Sequence, residues 1–426
     1  MADARLTALQ GLGEVLDREG YSNLVLESLM RKSALAAQER AFCTALFYGV
    51  LERRITLDWV LGRYSRQPVA KLSPAVREIL RLAVYQLLYM PSVPEAAAVN
   101  EAVRETRALR VASAAGYVNG VLRAFLREGK QIPAPRNALT ALSVRYSVPE
   151  ELITLWQKSY GEEKTRAILE GAGGPPPVFL RVNTTRITAA GLRQRLAEEG
   201  LETAETDLLN CLRCTGAGDL TRLPSFSEGL FHVQDLSSQR CAAALAVQPG
   251  QRVLDVCAAP GGKSFTLAEE MQNRGSLLAM DLSTSRLRLV EQGAERLGLG
   301  CIATRQNDAA QFEPALGGFD RVLCDVVCSG YGVIRRKPEI RYKPVAAASG
   351  LPELQLAILT ASAGYLVPGG RLVYSTCTLN PAENEGVVNA FLARRPDFAL
   401  CAEPVTCFPA PAGGDGFFYA AMERQA

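Results

Sequence analysis

The chain has 426 residues, 48% hydrophobic and 21% charged, too long for one small module and too apolar for disorder, so two or three separate cores are expected. Its 47 Lys and Arg against 44 Asp and Glu leave a formal net charge of +3, so any nucleic-acid surface is a local patch. A single histidine, His232, excludes a His-based zinc site and any mechanism that needs two imidazoles.

From residue 4 to about 130 the sequence reads as helix after helix. An example is REILRLAVYQLLYM at 77–90, preceded by Ser73 and Pro74 as cap and first-turn proline. Breaks at 18–22 and 90–94 separate these helices, and GKQIPAPRN at 129–137 has a linker's composition, so residues 1–135 form an all-α domain. Helical patterns at 149–158 and 162–171 follow, then the breaker GAGGPPP at 171–177, a strand at 178–182, a helix at 188–199 and a short strand at 230–233. This makes residues 138–235 a small α+β adaptor.

Beyond it, in 236–426, strands at 252–256, 276–280, 301–305, 321–325 and 371–375 alternate with helices. Near-continuous apolar strands of this kind build a parallel sheet covered on both faces, a Rossmann-like α/β domain that binds ligands outside the carboxyl ends of its strands. The start of the chain lacks the basic and apolar regions of a secretory signal. No run reaches the roughly 18 uninterrupted apolar residues of a membrane span. A cytoplasmic protein with reduced thiols and no membrane partner is expected, its 11 cysteines too sparse for a disulfide framework.

The first strand-end loop runs Cys257, Ala258, Ala259, Pro260, Gly261, Gly262, Lys263 and enters a helix whose backbone N–H groups can face a nucleotide-type ligand. It ends Gly-Lys-Ser, but Cys257 stands where a phosphate-binding loop needs glycine, and no G-x-G-x-x-G is present. Asp281, about 20 residues on at the next strand end, suits a ribose diol. Asp308 can reach an adenine amino group and Asp325 closes the fourth strand; helix capping is the competing role for Asp281 and Asp308. Cys328 and Cys377 lie just past the fourth and fifth strands, so both can face one cleft. Cys43, Cys241, Cys301 and Cys324 read as small buried hydrophobes and Cys211–Cys214 as an incidental C-x-x-C, while Cys401 and Cys407 carry no motif.

Two thiols without a second imidazole suit covalent catalysis on a cytosine. A thiolate adds at carbon-6, carbon-5 then attacks an activated methyl group, and a base removes the carbon-5 proton. The attacking thiol, ordinarily near pKa 8.5, needs a helix N-terminus or a cation to ionise, and Lys263 is a candidate. His232 reads as a structural or RNA-side residue.

With VCAAPGGKS, the three acids, CSGYGVIRRKPEIRY and STCTLNPAENE in view, the chain resembles the Sun-type RNA cytosine-5 methyltransferases over its whole length. GYVNGVLR at 116–123 looks like that family's NusB-like RNA-binding domain, and RVN at 181–183 with HVQD at 232–235 like its middle region. The resemblance implies S-adenosylmethionine held by the loop 257–263, Asp281, Asp308 and Asp325, with Cys377 as nucleophile, Cys328 assisting release, and Asp325 also touching the base. It implies transfer to carbon-5 of an unpaired loop cytosine of small-subunit (16S) ribosomal RNA, by a monomer without metal.

The family usually reads Asp-Ala-Pro-Cys-Ser; Val326 and Val327 replace Ala-Pro here, which frees the backbone that aims Cys328. Arg335, Arg336, Lys337, Arg341 and Lys343, just after Cys328, are expected RNA contacts. Three other readings stay open: a non-catalytic assembly factor, a methyltransferase acting on nitrogen or protein, and a phosphate-loop hydrolase.

Overall fold

The computed structural model describes residues 3–18, 20–216 and 218–425, and the chain folds as two compact units. Of the expected break at 18–22, Glu19 lies outside the described residues. The first unit runs to Thr165 and takes in Ile334–Pro344. It holds helices α1 (Ala4–Leu16), α2 (Ser22–Lys32), α3 (Ala37–Tyr64), α4 (Pro74–Tyr89), α5 (Glu95–Ala108), α6 (Ala115–Arg127) and α7 (Ala138–Tyr146), and the start of α8 (Glu150–Gly171), which non-helical Gly161 interrupts. Local chemistry sets several starts. The Asp3 carboxylate accepts from Arg5 N at 2.9 Å to cap α1, Asn137 Oδ1 accepts from Leu139 N at 2.7 Å to cap α7, and Pro74 opens α4. Leu12, Leu46, Phe47, Ile79, Leu122 and Phe125, drawn from α1, α3, α4 and α6, are fully buried in one core.

This core encloses a carboxyl group. Glu105 on α5 is 2% exposed and neither of its oxygens has a hydrogen-bond partner among the described residues. Burial pushes it up to about 8, against the opposing pull of Arg5. The folded state therefore keeps a proton that the unfolded chain gives up above about pH 4.5, so wild-type stability falls as pH rises from there to about 8 and then levels. Glu105→Gln removes this loss, on the order of 4 kcal/mol at its limit. Thermal melts are expected to separate in the variant's favour between pH 5 and pH 8; parallel curves would show that Glu105 does not titrate with folding.

Arg341 corrects a sequence expectation within this same unit. It is 1% exposed, its Nη2 donates to Ile334 O at 2.9 Å, and its Nη1 donates to Glu52 O, Tyr146 O and Ser147 O at 3.3–3.4 Å. Tyr342 OH donates to Leu51 O at 2.6 Å beside it. Arg341 is a buried strut and not a surface group waiting for phosphate.

The second unit comprises Arg166–Val333 and Val345–Ala426 and contains two sheets. The smaller is antiparallel, with strands β1 (Val178–Val182), β2 (Glu202–Glu205), β3 (Cys211–Thr215) and β4 (Phe231–Val233) in the order β2-β3-β1-β4, covered by α9 (Ala189–Glu198). β2 and β3 have no counterpart in the sequence reading, and the C-x-x-C cysteines lie on β3, with Cys214 pushed up to about 11 by burial.

The larger sheet has β5 (Arg252–Asp255), β6 (Ser276–Asp281), β7 (Ile302–Gln306), β8 (Phe319–Asp325) and β9 (Leu366–Thr376) as parallel neighbours in the order β9-β8-β5-β6-β7. Beyond β9 the sheet turns antiparallel through β12 (Phe417–Arg424), with β10 (Phe398–Leu400) and β11 (Val405–Cys407) paired to it. The five expected strands are present; the three antiparallel ones are an addition to the expected parallel sheet.

Alternate strand residues enter opposite cores. Val253, Leu323 and Val373 face α11 (Leu236–Ala244), α12 (Gly262–Glu270) and α13 (Thr284–Leu297). Leu254, Val322 and Leu372 face α14 (Leu351–Gly364) and α15 (Glu385–Arg394). Val345–Gly364 has the length and mean hydropathy of a membrane span, but α14 within it places Ile358, Leu359 and Ala363 in the second of these cores.

Candidate active site

The strand order changes direction between β5, which leads on to β6 and β7, and β8, which leads to β9, and such a switch point opens a crevice beyond the carboxyl ends of the strands. The loop after β5 sits there. Ala258 N donates to Met280 O at 2.7 Å, and Gly261, with φ at 112°, turns the chain into α12. A Cβ at Gly261 would stand 2.4 Å from the Phe265 ring, so both the turn and the packing require glycine. Behind the loop Asp255 is fully buried and accepts from Ser264 Oγ at 2.7 Å; burial raises its carboxyl to about 7.

Asp281 ends β6 with its carboxylate turned to this loop. Its Oδ2 accepts from Ala259 N at 3.3 Å and meets Arg286 Nη1 at 3.3 Å, while Oδ1 accepts from Ser283 N at 3.0 Å. The cap of α13 is Ser283, so Asp281 is not the helix cap. Asp308, exposed past β7, accepts from Ala310 N at 3.0 Å in a turn where no helix begins. Asp325 Oδ2 meets Lys263 Nζ at 2.8 Å and its Oδ1 accepts from Ser375 Oγ at 2.7 Å, so the carboxylate is held from both sides. Lys263 is thus paired with Asp325, whose charge raises it once burial is offset.

Asp325 and Ser375 are directly paired across β8 and β9, so the chain leaves both strands at the same sheet edge. Three residues on from one and two from the other, Cys328 Sγ and Cys377 Sγ come within 3.4 Å. The Cys328 thiol is pushed well above its ordinary range by its hydrogen bond to Cys377, then by burial, then by the charges of Cys377 and Glu383. Gly332 fixes the far end of the Cys328 loop: its N donates to Cys377 O at 3.0 Å and its O accepts from Gly416 N at 2.9 Å. A Cβ there would stand 2.0 Å from Gly416 O.

The remaining sequence candidates separate cleanly. Cys43, Cys241 and Cys324 are buried as expected, whereas Cys301 is half-buried against the sheet core. His232 is structural: its Nδ1 faces Glu269 Oε1 at 3.3 Å, and beside it Gln234 Oε1 accepts from Thr266 Oγ1 at 2.6 Å. Asn183 Nδ2 donates to Gly229 O and Leu297 O at 2.9 Å each. RVN and HVQD therefore fasten the small sheet to α12 and α13.

Sequence reasoning missed Asp255, Ser375, Glu383 and Gln355. Glu383 stood unremarked within NPAENE, and Gln355 had a readable signal as a lone polar residue on the buried face of LPELQLAIL. Among the described residues no group of three His, Cys, Asp or Glu is placed to hold a metal ion.

Three family models match in chain order. They are the NusB family at 2–127, an RsmF/B-like methyltransferase ferredoxin-like domain at 148–221, and 16S rRNA methyltransferase RsmB/F at 242–423. A Bacillus subtilis (strain 168) protein named probable ribosomal RNA small subunit methyltransferase B is 37% identical over 98% of each chain. The chain belongs to the ribosomal RNA small subunit methyltransferase B family. A Salmonella newport (strain SL254) member is 35% identical over 99% of this chain and 98% of its own. The crystal structure of PH0851 superposes with a TM-score of 0.85 at 25% identity, covering 100% of this chain and 99% of that one.

Family membership makes the chain an S-adenosylmethionine-dependent methyltransferase and sets aside the assembly-factor and hydrolase readings. The helical and Rossmann-like parts are those the sequence announced, and its small α+β part is of the ferredoxin-like type. The donor set suits that cofactor. A turn of small residues opens a helix, a carboxylate stands at the end of β6, and an exposed one stands beyond β7.

Proposed function

We propose that this protein methylates carbon-5 of an unpaired cytosine in small-subunit (16S) ribosomal RNA through a covalent adduct on Cys377, acting in the cytoplasm as a metal-independent monomer. The observation that carries the reading is the pair of sulfurs 3.4 Å apart at the ends of β8 and β9, next to the Lys263–Asp325 pair. When bound, S-adenosylmethionine supplies an electrophilic methyl group; residues 257–263, Asp281, Asp308 and Asp325 are assigned to hold it.

The Cys377 sulfur and burial raise the Cys328 thiol, so Cys328 is assigned as the proton-holding partner of the pair and Cys377 as the nucleophile. The Cys377 thiolate adds to carbon-6, and the electrons of the ring double bond become available at carbon-5. Asp325, fixed by Lys263 and Ser375, is placed to hold the ring as its charge shifts. Once Cys377 is bonded to carbon, the hydrogen bond and charge by which it raised Cys328 are gone, and only burial and Glu383 still hold that thiol up. Cys328 then loses its proton to solvent and takes the one on carbon-5. The freed electron pair restores the ring double bond and expels Cys377 as thiolate.

A stacked cytosine hides carbon-6, so the target is an unpaired base turned into the crevice. Arg335, Arg336, Lys337 and Lys343 are assigned to phosphate; the last two place their ammonium groups 5.8 and 5.7 Å from the Tyr21 ring centroid.

Tritiated S-adenosylmethionine with unmodified small-subunit ribosomal RNA is expected to put label into 5-methylcytidine; label in another nucleoside would overturn the carbon-5 assignment. Asp281→Asn, which keeps the shape of the side chain and drops its charge, is expected to weaken S-adenosylmethionine binding by about tenfold or more in equilibrium dialysis. An unchanged Kd would take Asp281 out of the cofactor site.

A further inference from the structure

β9 carries Cys377 to the sheet edge, but Cys328 sits in a loop that no strand supports. Its neighbours on both sides are nonetheless pinned. The Glu383 carboxylate, fully buried, accepts from Ser329 N at 2.8 Å, Ser329 Oγ at 2.5 Å, Gln355 Nε2 at 2.9 Å and Asn380 Nδ2 at 2.8 Å. The same Gln355 amide nitrogen donates to Val327 O at 2.9 Å, and Val326 N donates to Ser375 O at 3.0 Å. Ser329 Oγ also meets Thr378 Oγ1 at 2.6 Å, which ties the loop to the residue after the nucleophile.

A buried carboxylate with this many donors, braced by a fully buried glutamine on α14, is a rigid clamp across three chain segments. It grips the residue before Cys328 through its carbonyl and the residue after it through its N–H and hydroxyl. In this chain the clamp acts on a backbone that Val327 leaves free, where proline would fix φ.

We propose that Glu383 and Gln355 are positioning residues that hold Cys328 against Cys377 for the release step. This rests on the two-cysteine reading above. Loss of the clamp leaves Cys377 at the end of β9, able to attack, while Cys328 wanders from the carbon-5 proton. The signature is a shift from free product to trapped adduct, which a general loss of structure does not produce.

The test measures covalent protein–RNA adduct relative to released 5-methylcytidine RNA, under turnover with S-adenosylmethionine and small-subunit ribosomal RNA, using the full chain. Gln355→Met keeps the volume and removes both donor contacts; Glu383→Gln keeps the shape and removes the charge. Gln355→Met is expected to raise the adduct-to-product ratio by about tenfold, the scale of one charge-assisted hydrogen bond, and Glu383→Gln to raise it less, because loss of the charge also lowers the Cys328 thiol. Adding Val327→Pro to Gln355→Met is expected to lower the ratio again, because proline restores part of the lost restraint at a residue that is 54% exposed.

Cys328→Ala is the reference. If it accumulates adduct and neither clamp variant does, the clamp has no part in release and the two-cysteine reading stands alone. If clamp variants lose product and adduct together, or if Val327→Pro leaves the Gln355→Met ratio untouched, positioning of Cys328 is overturned. If Cys328→Ala itself traps nothing, the two-cysteine reading fails and takes this inference with it.

Discussion

Cys377→Ala is expected to abolish methyl transfer, by at least about a thousandfold, because carbon-5 of cytosine has no other route to nucleophilic character. Cys328→Ala is expected to fail differently: the methyl group is transferred, the carbon-5 proton stays, and enzyme accumulates on RNA as a denaturation-resistant complex. The asymmetry follows from geometry. Cys377 lies one residue beyond the end of β9, in register with the paired Asp325 and Ser375, whereas Cys328 is brought to its sulfur by loop contacts. It follows also from the proton, which burial, the Cys377 sulfur and Glu383 keep on Cys328 at rest. Denaturing gels of both variants with labelled RNA read the two outcomes directly. Adduct in Cys377→Ala with none in Cys328→Ala would exchange the roles.

How much of this was legible depended on whether the determining contact is local. The strands that carry the site are short apolar runs flanked by helices, so β5, β6, β8 and β9 could be read from pattern, and Asp281, Asp325, Cys328 and Cys377 fell at their ends. β2 and β11 could not, because Glu202–Glu205 and Val405–Cys407 are brief and polar or half-exposed, and are strands only through their partners; β3, β10 and β12 were missed as well. The commitment of Lys263 to Asp325 spans 62 residues and the grip of Glu383 on Ser329 spans 54, and neither spacing leaves a mark on composition. The Val326-Val327 departure from the family pattern was legible, but its consequence was not. The sequence reading left Cys328 loosely aimed, while Gln355 and Glu383 hold the residues on either side of it.

Arg341→Ala is expected to cost the helical unit about 3 kcal/mol or more, since it removes a buried guanidinium and its hydrogen bonds to the carbonyls of Ile334, Glu52, Tyr146 and Ser147. Burial already pulls this guanidinium below the usual arginine value, with Tyr342 the leading opposing influence, so its place is maintained by short-range contacts and not by solvation. In urea unfolding followed by helical signal, the midpoint of the variant is expected to fall markedly. Its RNA affinity, measured where the variant is folded, is expected to keep the wild-type dependence on salt, because Arg341 neutralises no phosphate. Arg335, Arg336, Lys337 and Lys343 are expected to behave in the opposite way, each alanine substitution lowering the salt slope by about 1 with a small change in midpoint. A stable Arg341→Ala protein with a reduced salt slope would return Arg341 to the RNA surface. The contrast turns on one distinction that charge alone does not make: within the run RRKPEIRYK, Arg341 is buried among backbone carbonyls whereas Arg335 and Arg336 are half-exposed.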